Sequence, residues 1–247
     1  MFTEHRSDDW DRYRMDFHDP HRVLEPLDEE IAVAGAALDA LHRAGILPHT
    51  DYDMPRLLAH RQAVAELFDM PWTAISPRMQ RVLYAINAIA RPANMIAAGV
   101  FCGNTFISNA GAAVGPGACY AARNLIGVEI DASEAARAEK NVRAIDPTGV
   151  ARVLAADAID VAADFDEQID LLYLDANGSG GRGKGIYLDI LQAACDRLAP
   201  GALVLAHNSV NGGENVQPYL DFVRDERNFR ASVNVIVDPE GLEVSAR

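Results

Sequence analysis

Hydrophobic and polar positions along the chain follow two periods, and the change falls near Pro92. Before it the period is helical. Trp10, Tyr13 and Phe17 stand at i, i+3 and i+7, so the spacing predicts a short helix with three rings on one face, a pattern that packing explains better than a ligand cage. Ile31, Gly35, Leu38 and Leu41/His42 make a second amphipathic face that stops at Gly45 and Pro48. Asp53 ahead of Pro55 reads as an N-cap, with Leu57, Val64 and Phe68 continuing at helical spacing. Ser76 and Pro77 open a fourth helix, which buries Met79, Val82, Leu83, Ile86 and Ile89 and ends at Arg91-Pro92.

After Pro92 short apolar runs alternate with helix-like segments. The runs at 94–98, 125–130, 152–156, 169–174 and 202–206 are nearly all apolar rather than alternating, as expected of parallel strands covered on both faces. Helices are predicted between them at 105–113, 132–145, 159–163 and 187–198. Asp131 and Glu134 give the second of these a capping-box start. Residues 232–237 and 242–245 flank Asp238-Pro239-Glu240-Gly241 and read as a hairpin. Five β-α units followed by a hairpin make an α/β sandwich. The chain then divides into an N-terminal helical cap or lid, 1–75, and an α/β domain, 76–247.

Composition narrows the function. The chain has 247 residues, 49% hydrophobic and 23% charged, with 22 Lys+Arg against 36 Asp+Glu and a formal charge of −14. That balance disfavours nucleic acid and anionic membrane surfaces, both of which need concentrated Lys/Arg. No apolar run approaches the ~20 residues that span a bilayer. The N-terminal stretch has no apolar signal core, and Cys102, Cys119 and Cys195 are odd in number with no paired spacing. A reduced, cytoplasmic protein acting on small molecules is the expectation.

Ligands of open α/β sheets bind at the carboxyl ends of the strands. There the sequence places Ala98, Gly99, Phe101, Gly103, Asn104 and Thr105 after the first strand, and Glu129 and Ile130 after the second. Asp157 and Ala158 follow the third, Asp175 and Asn177 the fourth, His207 and Asn208 the fifth. The two glycines permit a sharp turn close to a ligand, and a carboxylate such as Glu129 suits the two hydroxyls of a ribose. Each has a plainer reading: Glu129 or Asp157 as a helix cap, Asp175 as a loop cap, His207 as a structural histidine.

The ordered series resembles the class I S-adenosylmethionine (SAM)-dependent methyltransferases, most of all their small-molecule O-methyltransferase branch, from about Ser76 to Ser245. The resemblance implies a Rossmann-like, seven-stranded, mostly parallel sheet with helices on both faces and the last strand antiparallel. It implies SAM over residues 99–103, ribose on Glu129, adenine near Asp157 and Ala158, and methyl transfer to an oxygen or nitrogen of a small acceptor. Asp175 or His207 would take the acceptor's proton, with Asn208 orienting it, and Asn177 stands beside them as a further catalytic candidate. The N-terminal region would cap the substrate or form a homodimer surface.

Two departures stand out. Ala97 replaces the acid of the family's first motif, which helps hold the methionine end of SAM. The branch often binds a divalent metal through an Asp after the fourth strand and an Asp-Asn pair after the fifth; the set here is Asp175, His207 and Asn208. Mg²⁺ and Ca²⁺ prefer oxygen donors, so this set is a poor match and the use of a metal stays open. Ala97 also motivates an alternative on the same fold: a SAM cyclase in which the substrate's own amine attacks its γ-carbon, giving azetidine-2-carboxylate and methylthioadenosine. A non-catalytic SAM-binding module is a third reading, against which the crowd of polar strand ends speaks. The stretch 178–185 fits the P-loop pattern G-x-x-x-x-G-K, but Gly185 stands where Ser/Thr must hold Mg²⁺. It reads instead as an active-site loop in which Arg182 or Lys184 meets a carboxylate.

Overall fold

The apolar runs after Pro92 pair as parallel strands, and the register that joins them sets the rest of the molecule. The computed structural model describes residues 1–247. In chain order its elements are β1 (Phe2–Arg6), α1 (Leu27–Arg43), α2 (Met54–Leu67), α3 (Pro77–Ala90), β2 (Asn94–Ala98), α4 (Asn104–Ala110), β3 (Asn124–Glu129) and α5 (Ala132–Ile145). There follow β4 (Ala151–Ala155), α6 (Ala158–Asp164), β5 (Ile169–Leu174), α7 (Ile186–Ala194), β6 (Leu198–His207), α8 (Gln217–Arg224), β7 (Ala231–Ile236) and β8 (Leu242–Ala246). One sheet holds all eight strands in the order β1-β7-β8-β6-β5-β2-β3-β4. The last strand, β8, runs antiparallel between β6 and β7, and every other pairing is parallel.

Alternate strand residues supply two cores, because successive side chains point to opposite faces. Met95, Ala97, Leu171, Tyr173, Leu203 and Leu205 pack with α1, α3, α4 and α5. Ile96, Ala98, Leu172, Leu174, Val204 and Ala206 pack with α6, α7 and α8. Helices on both faces explain why the strands read as continuous apolar runs.

The sheet has eight strands where seven are expected. The extra one, β1, pairs in parallel with β7 from Phe2↔Ser232 to Arg6↔Ile236. Its half-exposed, charged sequence suits an edge strand and carries no run that periodicity would detect. The helix expected over Trp10, Tyr13 and Phe17 does not form: residues 7–25 run as turns and loop. Tertiary contacts separate the three rings. Tyr13 lies 3.9 Å beneath the Arg78 guanidinium, Trp10 takes the Arg6 cation at 4.9 Å, and Phe17 is left 45% exposed. The short helix α8, with Pro218 in its first turn and Tyr219, Leu220 and Val223 buried on one face, is a further element beyond those expected. No helix is long and apolar enough to cross a membrane.

Buried ion pairs tie the N-terminal segments to α3. Arg78, only 2% exposed, donates to both Asp9 oxygens at 2.8 and 2.9 Å, to Glu25, and to the Val237 carbonyl at 3.1 Å. One turn on, Arg81 donates to Glu30 at 2.6 Å and to the Tyr52 hydroxyl at 2.8 Å, and Arg61 shares the same Glu30. Removing one member of such a set strands a buried charge. Arg78→Met is expected to lower stability by about 3–5 kcal/mol in urea unfolding.

The turn between β7 and β8 holds a second strained charge. Asp238, fully buried, accepts from the Ser76 hydroxyl and from the N–H groups of Glu240 and Gly241. Burial, and then the Asp238 carboxylate beside it, push the neighbouring Glu240 carboxyl up to about 7. The folded state therefore keeps a proton that the unfolded chain releases near its ordinary 4.5, so stability falls as pH rises between those values. Glu240→Gln is expected to be more stable than the parent above neutral pH by on the order of 2–3 kcal/mol, with the gap closing in acid, as thermal or urea unfolding across pH would read.

Candidate active site

At the end of β2 the backbone turns at Gly99, whose φ of +78° and close surroundings both require glycine: a Cβ there would stand 2.4 Å from the Cα and N of Ala176. The Gly99 N–H donates to Val128 O, and the Ala98 carbonyl accepts from Asp175 N–H, each at 2.8 Å. These bonds bring the ends of β3, β2 and β5 together. Phe101 holds a left-handed conformation at φ 47°, and its N–H donates to a Glu129 oxygen at 2.8 Å. Gly103, at φ +93°, opens α4, whose first residues are Asn104 and Thr105. A cavity of about 680 Å³ lies over this bend, within the usual range for small-molecule sites.

Of the residues singled out in the sequence, Gly99, Phe101, Asn104, Thr105, Glu129 and Ile130 line the cavity. So do Asp157, Ala158, Asp175, Asn177, His207 and Asn208. Ala98 and Gly103 shape the bend without lining it. The Glu129 oxygens accept from Phe101 and Asp131 N–H groups, at 2.8 and 3.1 Å, and each keeps a lone pair for a further donor. Asp157 caps α6 through Ile159 N–H at 2.8 Å, so the plainer reading is realised there while one oxygen stays without a protein donor. Ala97 is fully buried within the sheet and offers the cavity no polar group.

The charged centre lies at the ends of β5 and β6. Lys184 reaches back from the glycine-rich loop to donate to Asp175 Oδ1 at 2.8 Å and to the Asp175 carbonyl at 2.9 Å. His207 Nδ1 stands 3.4 Å from the other carboxylate oxygen, Oδ2, and neither of its buried ring nitrogens has a hydrogen-bond partner. Burial alone would raise Asp175, but the His207 and Lys184 charges outweigh it and hold the carboxyl below its ordinary range. Burial likewise works against the His207 cation, and the Asp175 carboxylate, with Asp238 adding to it, outweighs that and raises the imidazole above its ordinary value. Asn208 adopts φ 60° and gives its amide to Asn211 at 2.8 Å.

Of the two loop cations expected to meet a carboxylate, Lys184 meets Asp175 and Arg182 pairs with Asp189. Trp72 escaped the sequence reading. Its ring packs against Phe101 at 4.8 Å on the cavity wall, and it lies in a loop with no periodic signal.

The bend, the Glu129 carboxylate and the cavity fit an adenosyl ligand. The donor set does not fit a hard divalent cation. One Asp175 oxygen already carries an ammonium, the other faces a buried imidazole, and no group of three or more His, Cys, Asp and Glu is arranged to hold a metal.

Comparisons with known proteins agree with this geometry. A family model described as a methyltransferase domain matches residues 96–209. A catechol O-methyltransferase of Niastella koreensis is 27% identical over 167 residues, covering 66% of this chain and 70% of that one. The O-methyltransferase of Bacillus cereus, solved in complex with S-adenosylhomocysteine (SAH), superposes with a TM-score of 0.58 at 17% identity, over 87% of this chain and 99% of its own. TomG of Streptomyces achromogenes, an O-methyltransferase involved in tomaymycin synthesis and solved with SAM, gives 0.56 at 19% identity, over 80% and 91%. Sheet order, glycine bend and family match converge on one description: residues 96–209 match a methyltransferase domain, and the chain as a whole shares the Rossmann-like fold of these O-methyltransferases.

Proposed function

We propose that the chain transfers the SAM methyl group to an oxygen of a small-molecule acceptor held against Asp175, Lys184 and His207. The observation that carries this reading is that the glycine bend, Glu129 and the Asp175–Lys184–His207 cluster line one cavity. Glu129 would take the ribose hydroxyls, with Ile130, Asp157 and Ala158 about the adenine and Ala98, residues 99–103, Asn104 and Thr105 beneath the rest. When bound, SAM supplies an electrophilic methyl carbon on a sulfonium. The protein's part is then to align the acceptor and to exclude water. Of residues 1–75, the stretch with Trp72 and Thr73 lines the cavity and would serve as the cap, while β1 joins the sheet and α1 packs on it.

His207 would act as the base, since neither ring nitrogen has a hydrogen-bond partner, with the Asp175 carboxylate 3.4 Å from Nδ1 orienting the ring. Asn208 and Asn177 would flank the acceptor. Because Asp175 raises the His207 pKa, the basic form grows only above the ordinary imidazole range. The rate with a neutral acceptor is therefore expected to rise with pH and to level off at a midpoint above 6.5, the ordinary imidazole value.

Incubating the purified protein with SAM and a panel of phenolic and carboxylic acceptors, with products assigned by mass spectrometry, tests the reading. SAH together with a methylated acceptor is the expected outcome. Methylthioadenosine from SAM alone would replace it with the cyclase. His207→Gln is expected to lower kcat by about 10²–10⁴-fold and to flatten the pH profile, with SAH affinity unchanged in calorimetry. Gly99→Ala is expected to abolish SAH binding, since both its φ and the Ala176 backbone refuse a Cβ.

A further inference from the structure

We propose that the Lys184 ammonium stands where the resemblance places a divalent cation, and that the chain accordingly methylates, without a metal, acceptors whose reacting oxygen is anionic. The inference rests on the methyl-transfer reading and deepens it. Its ground is the seating of Lys184. The loop closes on itself through Gly178 N–H to Gly183 O at 2.9 Å and Gly183 N–H to Gly178 O at 3.2 Å. Gly180, Gly181 and Gly183 all take positive φ within it. The lysine stem then passes Gly212, where a Cβ would stand 3.3 Å from Lys184 Cγ, and the ammonium lies 5.3 Å from the Tyr187 ring centroid.

Two of the three ammonium donors are spent on Asp175, which leaves one for a ligand on the cavity wall. A divalent cation at Asp175 would have to displace this ammonium and sit beside the His207 charge. Lys184 offsets Asp175, and the centre gains a net positive charge whenever His207 is protonated, inside a chain of net charge −14. A phenolate or a carboxylate neutralises it. The acceptor oxygen's lone pair forms the new C–O bond as the methyl–sulfur bond breaks onto sulfur. A neutral phenol instead gives its proton to the uncharged form of His207, which leaves a phenolate beside two cations. The methylated product is uncharged at that oxygen, so it loses its hold on the ammonium and can leave.

The test uses protein treated with EDTA, desalted and checked for metal by elemental mass spectrometry. SAH affinity is first measured by calorimetry. The SAH complex is then titrated with 4-nitrophenol, read by absorbance at a pH below the free phenol's pKa, and with benzoate, read by calorimetry. The expected result is metal-free binding of nitrophenol as the coloured phenolate, of benzoate, or of both, unchanged by added Mg²⁺. Nitrophenolate alone identifies a phenol acceptor, and benzoate alone a carboxylate. Lys184→Met is expected to weaken probe binding at least tenfold with SAH affinity intact, and Lys184→Arg to retain it; should the methionine variant not fold, the arginine variant and the metal-free parent still decide the matter. Probe binding that requires Mg²⁺, nitrophenol bound only in its neutral form, or failure of both probes in a chain that binds SAH would overturn the proposal. Failure to bind SAH at all would overturn the methyl-transfer reading itself.

Discussion

Between the ends of β2 and β5 the backbone of Gly99 lies against that of Ala176 with no room for a side-chain atom, and the site is built outward from that contact. Because the two strands finish so close together, Phe101 can hand its N–H to Glu129 on one side while Asp175 emerges on the other. A bulkier residue would push the strand ends apart and separate the half of the cavity that fits a nucleoside from the half that carries charge. Glycine therefore contributes here through the approach of two backbones as well as through its own φ.

Charge is distributed in two buried sets with different work. The first, Arg78 with Asp9 and Glu25, and Arg81 with Arg61 and Glu30, anchors chain that has little regular structure of its own to the start of α3. The second, Lys184 with Asp175 and His207, faces the cavity, and its charges are paired only in part. Three guanidinium groups against three carboxylates balance the first set and hold that chain in place, whereas the Lys184 donor and the His207 ring nitrogens left without partners give the second capacity for a ligand.

Most of the sheet was legible because parallel strands covered on both faces leave unbroken apolar runs. Asn94–Ala98 and Ala132–Ile145 fall where periodicity and capping put them. The turn residues at the strand ends were legible for the converse reason, being polar or glycine amid apolar neighbours. What escaped is what long-range contacts decide. Phe2–Arg6 becomes a strand only because β7 offers an edge, and Tyr13 is buried by Arg78 rather than by a helix of its own. The partner of Lys184 was open for a similar reason: a glycine loop has no period, and only the fold shows that its lysine turns back to Asp175.

The edge strand also bears on how the molecule assembles. Met1 and Arg230, 229 positions apart, share a hydrogen bond, and β1 rests on β7 across nearly the same separation in sequence. β1 therefore waits, unpaired, until β7 has been made, and the outer rim of β7 has no cover until β1 docks. Closing so long a loop is slow compared with the local β-α units, which can form as they emerge. The order of folding thus runs against the order of the sequence at this edge, and the interval before docking is when an open strand is most exposed to pairing with another chain.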